Sequence, residues 1–228
     1  MIEPPIRFLR PVTLVGGGAL NRGMIEEARR IAPDLIAADG AADRLAALGY
    51  APAAVVGDMD SLADPDRWRS GPVPFVEIAE QNSTDFEKCL GAIDAPVYLA
   101  AGFTGRRVDH MLAAFHALLS HMPKVVTMIG EEEVIALMPP GRVLRFDLAA
   151  GARVSFFPLL SATGTYSAGL VWPIDGLNMA PGRQIGTSNA AAAARVEVGF
   201  DGPGVLVMLE RAALGTLVAA LSEGSATA

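Results

Sequence analysis

Over the first part of the chain, short apolar and β-branched runs alternate with stretches whose apolar positions recur at helical spacing. Pro11–Val15, Leu35–Ala38, Ala53–Val56, Pro72–Ile78 and Pro96–Ala101 read as strands, with Pro11–Val15 and Pro96–Ala101, mostly apolar and each ending in glycine, as buried parallel ones. Between them, residues 24–31, 41–48, 84–93 and 111–121 carry the helical period. This cadence predicts a Rossmann-like α/β domain: a mostly parallel sheet with helices on both faces. Residues 124–129 and 133–138, separated by Gly130-Glu-Glu, would close it as a hairpin. At Pro139-Pro-Gly141 the rhythm changes. From there to the C-terminus the pattern gives only short β-rich runs, at 142–147, 153–158, 164–172, 193–198 and 204–209, broken by Gly, Pro, Asn and Ser. Such a series predicts a small antiparallel sandwich or barrel, with Asn189 as a turn residue. The expected organisation is therefore an α/β domain over 1–139 and a β domain over 140–228.

With 228 residues and 51% hydrophobic positions, either part can bury a core without crosslinks. A net charge of −7 argues against a nucleic-acid partner, since no positive field would gather phosphate backbone. A small anionic substrate would need local cations instead. The single cysteine, Cys89, excludes an internal disulfide framework and falls within an apolar helical pattern, which suits packing in a reducing compartment. Residues 1–7 lack a basic region followed by a long apolar run, and no apolar stretch is long enough to span a bilayer. The expectation is a cytoplasmic protein without a membrane partner.

The chemistry concentrates at turns. In Val55-Val-Gly-Asp-Met-Asp-Ser-Leu62, Asp58 and Asp60 would share one side of an extended segment, because side chains alternate in a strand. Two like charges so close call for a cation, and hard carboxylate oxygens suit Mg²⁺ shared with substrate phosphates. Glu80-Gln-Asn-Ser-Thr-Asp-Phe-Glu-Lys88 adds Asp85 and, three residues on, Lys88 on the same helical face. The plainer reading makes Gly57-Asp58 a turn and Thr84-Asp85 a helix cap. Gly16-Gly-Gly18 follows the first strand but has neither the dinucleotide Gly-x-Gly-x-x-Gly spacing nor a Gly-Lys-Ser/Thr ending.

Taken in order, Ala38-Asp-Gly40, Gly57-Asp-Met-Asp-Ser61, Ser83-Thr-Asp-Phe-Glu-Lys88 and Gly105-Arg-Arg-Val-Asp-His110 resemble the thiamine pyrophosphokinase family. That family carries Ala-Asp-Gly-Gly, Gly-Asp-Phe-Asp-Ser, Ser-Thr-Asp-Phe-Glu-Lys and Gly-Gly-Arg-x-Asp-His in the same sequence. Gly169-Leu-Val-Trp-Pro-Ile174 and Gly186-Thr-Ser-Asn189 are similar to its C-terminal signature. The chain departs at Ala41, Met59, Arg106 and Ala190, where the family has glycine, phenylalanine, glycine and an acidic residue.

The resemblance implies a nucleotide-binding α/β domain, a thiamine-binding β-sandwich, and a homodimer with sites between subunits. It also implies transfer of a pyrophosphoryl group from ATP to thiamine. Such a transfer rests on positioning and charge neutralisation, with no covalent group required. Asp58, Asp60 and Asp85 would then hold Mg²⁺, and Lys88 and Arg107 would stabilise charge on the transferred group, with Asp109 orienting Arg107 or taking the hydroxyl proton. Asp39, Gly40, Gln81, Thr84, Gly105 and Arg107 would serve the nucleotide, with His110 behind them. Trp172, Ser188 and Asn189 would serve thiamine, the indole as a wall for its flat cationic rings. Three alternatives stay open: a related pyrophosphokinase acting on a pterin alcohol, an Asp-x-Asp metal glycosyltransferase, and a non-catalytic nucleotide or thiamine sensor.

Overall fold

The computed structural model describes residues 5–105 and 107–223, so Arg106 lies outside the described residues. The chain divides between Glu131 and Glu132 into two compact units.

In chain order the first unit comprises β1 (Ile6–Arg7), β2 (Val12–Val15), α1 (Arg22–Arg29), β3 (Asp34–Ala38), α2 (Ala41–Ala47), β4 (Ala54–Gly57), α3 (Pro65–Arg69), β5 (Phe75–Glu77), α4 (Asp85–Ala92), β6 (Ile93–Asp94), β7 (Tyr98–Ala101), α5 (Val108–Ser120) and β8 (Val126–Ile129). Strands β5-β4-β3-β2-β7-β8 lie in that order and every pairing among them is parallel. The runs β2, β4, β7 and β8 are buried at every position, as strands covered on both faces must be. From β2 the chain steps outward through β3, β4 and β5, then returns to place β7 on the other side of β2. The strand order therefore reverses between β2 and β7, and the loops leaving those two strands part to open a crevice.

Local signals account for the helices. Asn21 caps α1 by accepting from Met24 N at 3.0 Å, and Thr84 and Glu87 form a reciprocal capping box on α4. In helix α3, Asp64 is the cap and Pro65 sits at the first turn, which suits a residue without an N–H to donate. Its Trp68 is buried with Val15, Ile25, Leu45, Val55, Met59 and Leu62 in the core of this unit.

The second unit contains β9 (Glu133–Leu137), β10 (Val143–Asp147), β11 (Arg153–Pro158), β12 (Ala162–Ala168), β13 (Asn178–Met179), β14 (Gly186–Ala190), β15 (Arg195–Phe200), β16 (Val205–Glu210) and α6 (Leu214–Ser222). Strands β14-β11-β16-β9 and β10-β15-β12-β13 form two antiparallel sets, with Phe156 of the first and Phe200 of the second meeting edge to face at 5.5 Å between centroids. The strand Glu133–Leu137 pairs antiparallel with β16 and falls in the second unit. Two expectations are corrected here. Asn189 lies within a strand, held by pairing with Val154, and does not turn the chain. The C-terminal stretch is not all β: Leu214–Ser222 is a helix that buries Leu214, Leu217, Val218 and Leu221 at helical spacing. Among the described residues no helix is long and apolar enough to cross a membrane.

Candidate active site

The crevice at the strand reversal is built first of main chain. Gly16 N donates to Ala101 O at 2.8 Å and Gly18 N to Gly102 O at 2.6 Å, so the loop after β2 is laced to the loop after β7. A Cβ on Gly18 would stand 2.5 Å from Gly102 O, and one on Gly102 would stand 2.5 Å from Gly16 O. Only glycine lets two backbones approach so closely. Gly16, Gly17 and Gly18 wall one side of the resulting cleft, and Asp58, Asp85, Lys88, Arg107 and His110 face it from the other elements.

Its acidic floor comes from neighbouring parallel strands. Ala38 of β3 pairs with Val56 of β4, and Asp39 N continues the ladder to Val56 O at 2.8 Å, which brings Asp39 beside the turn leaving β4. A Cβ on Gly57 would meet Asp39 Cβ at 2.8 Å, so the glycine makes room for the acid. The segment after Gly57 is not extended, contrary to the expected strand alternation. Met59 adopts φ 69° and drives its side chain into the core, where it is 5% exposed. That inward anchor turns Asp58 and Asp60 outward together. Asp39, Asp58 and Asp60 each offer a carboxylate oxygen, all within 4.8 Å of one another.

Asp39 is almost fully buried: its Oδ2 accepts from Ser61 N at 3.1 Å, and its Oδ1 has no hydrogen-bond partner. An orphaned buried carboxylate oxygen is costly unless something positive meets it. Asp58 Oδ2 accepts from Lys88 Nζ at 2.7 Å and from Gln81 Nε2 at 2.9 Å. The Lys88 side chain is 1% exposed and also lies 3.8 Å from Asp85 Oδ1. Bonding to Lys88 holds Asp58 below the ordinary carboxylate range. Burial pulls the Lys88 ammonium down, but its hydrogen bond to Asp58 and the charges of Asp58 and Asp85 outweigh it, and the net shift is upward. Asp85 stands outside the close trio; burial, with the negative charges of Asp39 and Asp58, pushes it up to about 6. Burial likewise raises Asp39. Carboxylates thus outnumber the buried ammonium, the donors are hard oxygens, and one of them is unmet. This donor set fits a divalent cation of the Mg²⁺ type.

The remaining sequence candidates fall in different surroundings. Arg107 and Asp109 form a two-pronged ion pair at 3.1 and 2.5 Å, both exposed, and this pairing takes Asp109 down to about 2. Gly105 has φ 72°, and a Cβ there would press on Ala19 at 2.9 Å, so it docks its loop against the glycine loop. Gly40 packs on Ser61 O in a smaller recess lined also by Asp39, Gly17 and Arg44. The Thr84 hydroxyl is engaged with Glu87, at 3.0 Å as donor and 3.3 Å as acceptor from the backbone. Two departures from the family pattern are accommodated by packing, since Ala41 and Met59 are buried in the core. Cys89 is fully buried, and burial pushes its thiol up, which leaves it a packing role.

In the second unit, Trp172 is 60% exposed, which excludes a place in the core. Its backbone is gripped by the buried Asn189, whose Oδ1 accepts from Trp172 N at 3.2 Å and whose Nδ2 donates to Trp172 O at 2.7 Å. Ser188 adopts φ 61° and donates its N–H to Ser155 Oγ at 3.0 Å.

Sequence reasoning did not place three features of the cleft. Gly16–Gly18 was noticed as a strand-end glycine run, but its motif spacing was unfamiliar. Phe103, whose ring packs on Phe86 at 4.3 Å between centroids and against Gly16, carried no signal. Asp39 was assigned to the nucleotide, although its position at the end of the strand beside β4 was the available clue to its place among the acids.

Comparison with known proteins adds to this geometry. The model described as the thiamin pyrophosphokinase catalytic domain matches residues 27–129, and that described as the thiamin pyrophosphokinase vitamin B1 binding domain matches residues 143–205. No curated protein sequence matches significantly. Among solved structures, thiamin pyrophosphokinase from Geobacillus thermodenitrificans is 22% identical, with 88% of this chain and 96% of that one covered and a TM-score of 0.71. The Candida albicans protein is 17% identical over 89% of both chains, with a TM-score of 0.74. The yeast protein is 16% identical over 98% of this chain and 94% of its own, also at 0.74. Those structures share the fold; the two family models between them span most of both units, and on that ground the chain belongs to the thiamin pyrophosphokinase family.

Proposed function

We propose that the chain is a thiamine diphosphokinase that moves the pyrophosphoryl group of ATP onto the hydroxyl of thiamine, releasing AMP, with Mg²⁺ held by Asp39, Asp58 and Asp60 and supported by Asp85. One observation carries the reading: a carboxylate cluster, running from buried Asp39 with one unmet oxygen to exposed Asp60, stands where its member Asp58 lines the crevice at the strand reversal, in a chain that matches both domains of this family. A divalent cation bound there supplies charge neutralisation of the triphosphate and orients its oxygens.

The chain's own residues do the rest. Lys88 balances Asp58 and, from its buried position, keeps a fixed positive charge at the edge of the cleft where negative charge grows on the transferred group. Arg107, held by Asp109, presents a planar fork to the phosphates. Gln81 orients Asp58, and the glycine loop lets phosphates approach main chain. In the second unit, Trp172 offers an exposed indole face for a flat cationic ring, and Asn189 fixes where that face lies. Residues 1–139 would serve the nucleotide and 140–228 thiamine, in a cytoplasmic homodimer.

The test is AMP formation from ATP and Mg²⁺ with thiamine as acceptor, run beside a pterin alcohol. Turnover with thiamine alone is expected. Folded protein that forms AMP only with the pterin alcohol, or with neither acceptor, would overturn the assignment.

A further inference from the structure

Helix α2 follows β3, and two consecutive residues in it hold two different stretches of chain. Asp43 accepts from Ala63 N and from Trp68 Nε1, each at 2.8 Å, and so tethers the chain that follows the acidic turn. Arg44 reaches the other way. Its Nη1 donates to Gly18 O at 2.8 Å and its Nη2 to Leu20 O at 2.7 Å, so one guanidinium spans two carbonyls of the glycine loop. Arg44 also lines the recess beside Asp39 and Gly40.

The glycine loop needs that grip. Residues 16–21 belong to neither strand nor helix. On the inner side the loop is fixed by its close approach to Gly102, but around Gly17 a Cβ would find nothing within 4 Å. Beyond it, Ala19 N donates to Thr104 O at 3.1 Å and Leu20 packs against the core, so the crest at Gly17 is the part of the loop that no neighbour shapes directly. A planar, permanently charged fork suits two carbonyls at a fixed separation, and a lysine ammonium on a flexible stem does not.

We propose that Arg44 is a positioning residue for the nucleotide: by holding Gly18 O and Leu20 O it fixes the glycine loop in the form that receives the phosphates. The inference rests on reading the cleft as the ATP site. A loop ordered before binding spends less of the binding energy on its own ordering, so loosening it weakens nucleotide affinity and leaves the acceptor site untouched.

The experiment measures ATP binding with Mg²⁺ by calorimetry, without thiamine, for wild type, Arg44→Met and Arg44→Lys, with steady-state kinetics alongside. Arg44→Met is expected to weaken ATP on the order of tenfold, as loss of two charge-assisted hydrogen bonds implies, while turnover at saturating ATP and the KM for thiamine stay within about twofold. Arg44→Lys, which can meet one carbonyl but not both, should fall between. ATP affinity in Arg44→Met equal to wild type overturns the proposal, as does a loss confined to turnover. Should Arg44→Met not fold, Arg44→Lys decides, and wild-type affinity there overturns it. Wild-type protein that binds no ATP would instead sink the functional reading itself, and this inference with it.

Discussion

The acidic turn of the first unit and the Trp172 loop of the second hold their candidate side chains by opposite means. At Asp58 the charged atoms themselves are gripped, by Lys88 and Gln81, in a site where Lys88 is nearly inaccessible. At Trp172 the side chain stands in solvent and only its backbone is gripped, by a buried asparagine. On the proposed function the difference follows from what each would meet. A cation and a triphosphate are bound through charge, which gains strength when desolvated and prearranged. A flat organic ring is bound through area and shape, which needs an open face in a fixed place.

The largest effects should come from separating charge from stability in the acidic turn. Asp60→Asn removes a ligand from an exposed carboxylate and is expected to lower turnover by on the order of a thousandfold, with melting temperature unchanged. Asp58→Asn should lose as much activity and also cost about 2 kcal/mol of stability, because it strips the buried Lys88 of its nearest partner while Asp85 remains. Equal melting temperatures for the two variants would break the contrast drawn between them. Turnover within tenfold of wild type in both would remove the cation site altogether.

The Trp172 loop should separate differently. Trp172→Ala is expected to raise the KM for thiamine about tenfold, the worth of one cation–π and stacking contact, with ATP affinity and stability unmoved. Asn189→Ala should raise it too, but with a stability loss of about 1 kcal/mol, since it leaves part-buried Trp172 backbone groups without their partner. Denaturant titration of both variants checks the split, and a destabilised Trp172→Ala would contradict the exposed-face reading.

Arg107 sharpens the comparison further, being charged like the first site and exposed like the second. Arg107→Lys should lower turnover about tenfold through loss of the fork. Its stability should not change, because both partners of its ion pair face water. An unaltered turnover number would take Arg107 out of the reaction.

Smallest is an effect of pH. Asp85 has its carboxyl raised to about 6 by burial and by the charges of Asp39 and Asp58, so below that pH it holds a proton that the cation must displace. Mg²⁺ affinity should therefore decline as pH falls below 6, by up to about tenfold per unit. Without the cation the sign reverses for folding: a raised carboxyl favours the folded state at low pH, and that contribution is lost as pH rises through 4 to 6. Magnesium titrations at pH 5 and 7 test the first part, and a flat profile would place Asp85 away from the cation.

Much of this molecule was legible because its signals are local. Apolar runs ending in glycine or aspartate marked β2, β3, β4 and β7, and the spacing of Asp85 and Lys88 placed both at one helical face. What escaped depends on partners distant in sequence. The reversal between β2 and β7, and with it the meeting of Gly16 with Gly102, is a property of strand order that no window of residues contains. Asp39 joins the acids only through the register of β3 on β4. Strand β14, Gly-Thr-Ser-Asn-Ala, has no apolar alternation and is made a strand by its pairing with β11. Helix α6 was missed for another reason: its composition is apolar nearly all round, and periodicity alone does not separate such a run from buried strand. Helix α3, by contrast, carries a local start signal in Asp64 and Pro65.

The laced glycine loops also limit how this protein can be made hardier. Replacing glycine by alanine is a common route to thermal resistance, since it narrows the wanderings of the unfolded chain. Where the two loops are laced that route is closed, because at Gly16, Gly18 and Gly102 an added methyl would stand within 2.7 Å of a carbonyl oxygen. It is open at Gly91 in α4 and Gly215 in α6, where a Cβ meets nothing within 4 Å and the backbone is helical. There each alanine should contribute about 0.5–1 kcal/mol of resistance to heat, measurable by calorimetry, and selection for ruggedness would enrich such helix positions while leaving Gly16, Gly18 and Gly102 fixed.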